Sequence, residues 1–146
     1  RYVNDKQITQ AMVPMLNAVG IKTKLHTPEW VTQWANVRKG KRPFFYQGRG
    51  SVIDPGPALS QYFETGVSPR IKYSSEKYDK LMQAERDAFD PKQRIAMLRN
   101  AMSVLTDDAP ACFMWTHTLQ YGITNSVSYQ PRPDGRPYLS EVVMKN

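Results

Sequence analysis

The sequence predicts an α/β domain, a mixed sheet flanked by helices, and three observations predict it. Segments with helical apolar spacing alternate with short apolar runs of strand length. Gly and Pro punctuate the junctions between them. Apolar residues make up 40% of the 146 positions and aromatics 11%, enough for a packed core. The order expected is helix, strand, helix, strand, three helices, then strands.

The first helix is expected over Asp5 to Val19, where Ile8, Ala11, Met12, Met15, Leu16 and Val19 keep one face apolar. Asn4 or Asp5 caps it, Gly20 ends it, and Pro14 should kink it. Ile21 to Leu25 alternates apolar and polar residues as a strand does. Thr27-Pro28-Glu29 reads as a helix start, and that helix carries Trp30, Val31, Trp34 and Val37 to Gly40. Pro43 to Gln47 reads as a buried strand, Gly48 to Pro57 as a loop, and Ala58 to Glu64 as a short helix.

Ser74 or Ser75 opens another helix, with Tyr78, Leu81, Met82 and Ala88 inward. Asp90-Pro91 ends it and caps the next, which places Ile95, Leu98, Met102 and Leu105 inward as far as Thr106. The two form an αα-hairpin. Ala111 to Trp115 and Leu119 to Thr124 read as strands, and Asp134-Gly135 as a turn between short terminal strands. A sheet that opens on a helix wants a preceding strand, so Arg1 is expected to lie just after one. The whole chain, 1–146, is expected to be a single domain within a larger protein.

Composition narrows the function. No apolar run approaches the roughly 18 residues of a membrane span. A lone cysteine, Cys112, excludes an intramolecular disulfide framework and a multi-cysteine zinc site. Net charge is +7, all of it in residues 1–72, which carry 11 Lys/Arg against 4 Asp/Glu; residues 73–146 carry 9 of each. A basic half suits an anionic ligand, a nucleic acid or a membrane surface, although Arg38, Lys39, Lys41 and Arg42 also read as a solvated turn around Gly40.

Several constellations carry candidate chemistry. Cys112 and His117 are the one thiol–imidazole pair for a hydrolase, but five residues apart on a strand they face opposite sides, and a buried cysteine is the plainer reading. His26 and His117 are too far apart in sequence to suggest a metal site. Gly48-Arg49-Gly50 lacks the third glycine of a dinucleotide loop, Ile53 standing there. Asp107-Asp108 sits at a helix end as a solvated pair. Phe44, Phe45 and Tyr46 beside the basic run keep a nucleic-acid-binding reading open.

The most informative segment is the loop Gly48 to Pro57. Its Gly48 and Gly50 allow close backbone approach. Arg49 offers a planar fork for carboxylate or phosphate, and Ser51 a hydroxyl. Tyr46, Gln47 and Trp30 would shape the wall of a small-molecule site, with Trp34 beside them unless both tryptophans are plain core.

Taken in order, a series of motifs resembles the C-terminal lobe of bacterial extracellular solute-binding proteins of family 5, the oligopeptide/dipeptide-binding group of ABC importers. The motifs are Gly20-Ile21-Lys22-Thr23-Lys24-Leu25, Glu29-Trp30, Gly48 to Asp54-Pro55, Tyr73-Ser74-Ser75-Glu76-Lys77-Tyr78-Asp79, Asp90-Pro91-Lys92-Gln93-Arg94, Asp108-Ala109-Pro110 and Pro131-Arg132-Pro133-Asp134-Gly135-Arg136. The resemblance implies part of a periplasmic-binding-protein type II lobe that needs an N-terminal lobe as its other wall. It implies solute capture by two-lobe closure in the periplasm, delivery to permease subunits, and contact with the membrane only through the permease or a lipid anchor. It implies no enzyme activity, no cofactor, no metal and no nucleic-acid partner. In peptide-binding relatives the loop reads roughly Gly-Trp-x-x-Asp-Tyr-x-Asp-Pro, with the Trp shelving the ligand and the first Asp pairing with a peptide amino terminus. Here Arg49 stands for the Trp when Gly48 anchors the match, and Ser51 for the Asp when Asp54-Pro55 does. A loop without that acid should favour an anionic or neutral hydroxylated ligand over an ammonium group.

Overall fold

A computed structural model describes residues 2–50 and 52–145. Five α-helices are present among them: α1 (Asp5–Ala18), α2 (Trp30–Arg38), α3 (Pro55–Phe63), α4 (Glu76–Asp87) and α5 (Pro91–Asp108). The strands are β1 (Val127–Ser128) and β2 (Val143–Met144), an antiparallel pair with Val127 opposite Met144 and Ser128 opposite Val143. The mixed α/β sheet expected from the sequence is therefore not the fold; the chain is mostly helical.

The correction has a physical cause. An alternating or continuous apolar run shows which faces a strand would bury, but a strand exists only where a second backbone accepts its hydrogen bonds. Ile21–Leu25, Pro43–Gln47, Ala111–Trp115 and Leu119–Thr124 are irregular and pair with no strand among the described residues. Their apolar side chains stay at the surface: Phe113, Trp115, Leu119 and Ile123 are about half exposed. Cys112, expected to be buried, is exposed.

The α4–α5 hairpin holds the core, and cap chemistry sets its ends. The Ser75 hydroxyl accepts the Tyr78 amide, and the Asp90 carboxylate accepts those of Lys92 and Gln93 ahead of Pro91. Tyr78 and Met82, one turn apart, face Ala101, Val104 and Leu105, and Phe63 at the end of α3 completes the cluster. Tyr78, Met82 and Leu105 are fully buried. Phe63 meets Tyr73, Tyr78 and Phe113 edge-on, with centroids 5.7–6.5 Å apart. Leu98 is buried as expected, but Ile95, expected inward, is exposed.

Both ends of α3 are tied to the hairpin by charge. At its start Asp54 accepts the Gly56 amide at 3.0 Å and receives Arg94 Nη2 at 2.7 Å. The same guanidinium nitrogen lies 2.5 Å from the buried Glu85 of α4. Gly56 sits so close to this cluster that a Cβ there would overlap Glu85 Oε1 and lie 2.8 Å from Arg94 Nη2. At its end Glu64 receives both Arg86 Nη atoms at 2.9 Å and the Ser60 hydroxyl at 2.6 Å. Helix α3 thus begins three residues before the expected Ala58.

Helix α2 begins at Trp30, after the expected Thr27-Pro28 start. Glu29, at its cap position, makes no side-chain cap hydrogen bond. Gly40 ends it in a left-handed conformation (φ +69°), as Gly20 does for α1 (φ +86°). Helix α1 retains Pro14 but buries no residue, leaving Met15 and Val19 exposed. Gly135, in the left-handed region, lies between β1 and β2, and Arg132 joins Asp134 and Glu141 beside it.

Two outcomes follow. Leu105→Ala should cost about 2–5 kcal/mol of stability, whereas Ile95→Ala should stay within about 0.5–1 kcal/mol; urea denaturation checks both, and equal costs would contradict this packing. The pH dependence has a definite sign. Arg94 and the Gly56 amide hold the Asp54 carboxyl below its ordinary range, and Arg86 with Ser60 does the same for Glu64. Depressed carboxyls contribute stability above the unfolded value of about 4, lost as pH falls through the folded one. The urea midpoint should hold above about pH 5 and drop between about pH 4 and pH 2; a flat midpoint across that range would contradict the ion pairs.

A candidate small-molecule site

Trp30 and Trp34 stand one turn apart on α2, so both project from the same side. Their rings stack, with centroids 5.5 Å apart and planes inclined by 18°. Tyr62 belongs to α3, whose position is set by the ion pairs at its two ends. Arg70 follows α3, its backbone turned by the buried Ser68, whose hydroxyl accepts the amides of Arg70 and Ile71. The Arg70 guanidinium carbon lies 4.4 Å from the Trp34 ring centroid and 4.9 Å from that of Tyr62. Arg49 approaches the same Tyr62 ring at 5.1 Å. Stacked tryptophans, a guanidinium, a tyrosine and a second guanidinium thus form one continuous series of contacts.

These groups line an open cleft of about 330 Å³, completed by Tyr2, Gly48 and Gly50. That volume suits a small solute. Tyr2 meets Trp30 edge-on at 6.0 Å and lies against Gly48, where a Cβ would come within 2.8 Å of its ring. The glycine at position 48 therefore serves the packing of Tyr2.

The electrostatics of the cleft are unbalanced. Arg86, Arg94 and Arg132 each pair with carboxylates. Neither Arg49 nor Arg70 has an acidic partner among the described residues. Arg49 Nη1 donates to Gln61 Oε1 at 2.6 Å, a neutral acceptor. Arg70 Nε is enclosed with no acceptor. Aromatic faces hold both cations, and an aromatic face supplies no counter-charge.

Of the residues picked out by sequence, Trp30, Arg49 and Gly50 line the cleft. Gln47 lies behind it, donating from Nε2 to the Tyr62 hydroxyl at 2.9 Å and so fixing that ring. Tyr46 packs edge-on to Tyr2 at 6.5 Å and does not line the cleft. Ser51 lies outside the described residues. Tyr2, Tyr62 and Arg70 also line the cleft and are not among the residues the sequence marks. Only the excess of cations over acids in residues 1–72 pointed toward a second unpaired arginine.

The rival sites are dispersed. No hydrogen bond joins Cys112 to His117 among the described residues; His117 Nε2 instead meets Trp115 Nε1 at 3.3 Å. His26 Nδ1 lies 3.2 Å from Arg42 Nη2. Asp108 accepts the Tyr73 hydroxyl. Among the described residues no cluster of three or more His, Cys, Asp or Glu could hold a metal ion, and no helix is long and apolar enough to cross a membrane. Compared with known proteins, the chain matches no family model and no curated sequence.

Proposed function

We propose that this chain is the ligand-holding part of a solute-binding protein, and that it captures a small anionic solute in the cleft formed by α2, α3 and the segment around Arg49. The observation that carries this reading is the pair of guanidiniums, Arg49 and Arg70, gathered on one tyrosine ring with no carboxylate partner among the described residues. Charged groups held near apolar surface without a partner favour an opposite charge from outside. The ordered motifs resembling family 5 solute-binding proteins support capture over catalysis.

In this reading Arg49 and Arg70 orient the solute, Trp30 and Trp34 form its apolar wall, and Gln47 fixes the ring on which both cations rest. A second lobe outside this chain closes over the cleft by a hinge motion. The closed protein, resident in the periplasm, then docks onto a membrane permease. A peptide amino terminus is a poor fit, because an ammonium group would face two like charges.

Trp30 and Trp34 supply the readout. Titration of the chain with benzoate, with neutral glucose and with dialanine, up to about 10 mM, should change tryptophan emission saturably for the anion alone. Arg70→Met should weaken the anion at least about tenfold. Saturable binding of dialanine that survives Arg70→Met would overturn the proposal.

A further inference from the structure

The two arginines share one aromatic ring, and the number of their donors bears on how much charge the solute carries. Each guanidinium has five N–H donors. Arg49 spends one on Gln61, and the Arg70 side chain makes no hydrogen bond among the described residues. A single carboxylate offers about four lone-pair sites and one negative charge, too few to satisfy both forks or to neutralise them. We infer that the solute carries two negative charges in one recognition unit, as a dicarboxylate or a phosphate monoester does, with Arg70 taking the first and Arg49 the second.

The inference rests on the capture reading above and divides the labour between the two residues. Arg70 is half-buried and fixed over two rings, so its fork is set before any solute arrives. Arg49 is exposed at the rim, resting on the Tyr62 ring at 5.1 Å and tied to α3 through Gln61, and it can take an anionic oxygen by giving up that one neutral hydrogen bond. An anion entering the cleft therefore meets the fixed fork inside and gains the second cation at the mouth. With one charge, a solute leaves Arg49 where it is. With two, the exchange of the Gln61 amide oxygen for an anionic oxygen is favourable, because charge-assisted hydrogen bonds are roughly twice as strong as neutral ones.

Three aromatic probes of similar size separate the possibilities: benzoate, benzene-1,3-dicarboxylate and phenyl phosphate, titrated at constant ionic strength and pH 7.5 with tryptophan emission and calorimetry as readouts. Either dianion should bind at least about tenfold tighter than benzoate, and the better of the two identifies a dicarboxylate or a phosphate ester as the fitting form. Arg49→Gln should erase that advantage, so that on this variant both dianions bind within about twofold of benzoate. Equal affinity for benzoate and both dianions, or an advantage that survives Arg49→Gln, would overturn the two-charge assignment and leave anion capture standing. No saturable response to any of the three anions would instead overturn the capture of anions itself.

Discussion

Glu85 of α4 is buried, and Arg94 of α5 reaches it and Asp54 with the same nitrogen. This three-membered ion cluster is the constraint on which the placement of α3, and of the cleft it helps to form, depends. A carboxylate withdrawn from water needs a cation at hydrogen-bond distance, so wherever the hairpin folds, Arg94 is held at Glu85. Asp54 then docks on the free side of Arg94 and simultaneously caps α3 through the Gly56 amide. Gly56 is part of the same arrangement, since any larger residue would displace the cluster. The Arg86–Glu64 pair fixes the far end of α3, and Phe63 inserts into the core between the two anchors.

Placement of α3 decides the cleft. Tyr62, adjacent to Phe63, keeps its ring 6.2 Å from the Phe63 ring at the edge of the core, where Gln47 holds its hydroxyl. Arg49 and Arg70 gather on that ring, and Arg70 links it to Trp34 of α2. Contacts from the core to the rim are thus made by side chains of neighbouring residues on one short helix. The charge left over in the cleft follows from this division: acids at the ends of α3 are spent on Arg86 and Arg94, and among the described residues none pairs with Arg49 or Arg70.

Local chemistry was legible in the sequence wherever a single residue carries it. Ser75 and Asp90 start their helices by accepting amide hydrogens, and Gly20 and Gly40 end theirs in the left-handed region. Thr27-Pro28 has much the same look as Asp90-Pro91, yet α2 starts at Trp30, with Glu29 at the cap position and no side-chain cap hydrogen bond. The expected sheet was not realised, since pairing is a property of two segments and periodicity reports only one. In the cleft, Trp30, Arg49 and Gly50 were identified from residue type and loop chemistry. Tyr62 and Arg70 were not, because their relation to Trp34 and Arg49 arises only through the docking of α3. Ile95 shows the same limit within a helix: its spacing fits the inward face, but Ala101 and Val104 occupy the contact with α4.

Backbone amide hydrogen exchange, read helix by helix in the Glu85→Gln variant, tests the organising role of the ion cluster most directly. With the buried charge neutralised, the amides of Ala58–Phe63 should lose protection by at least about tenfold, while those of α5 around Leu98–Leu105 stay protected. Unchanged protection in α3, or equal loss in α3 and α5, would contradict the account in which Glu85 and Arg94 hold this helix, and the cleft it carries, against the hairpin.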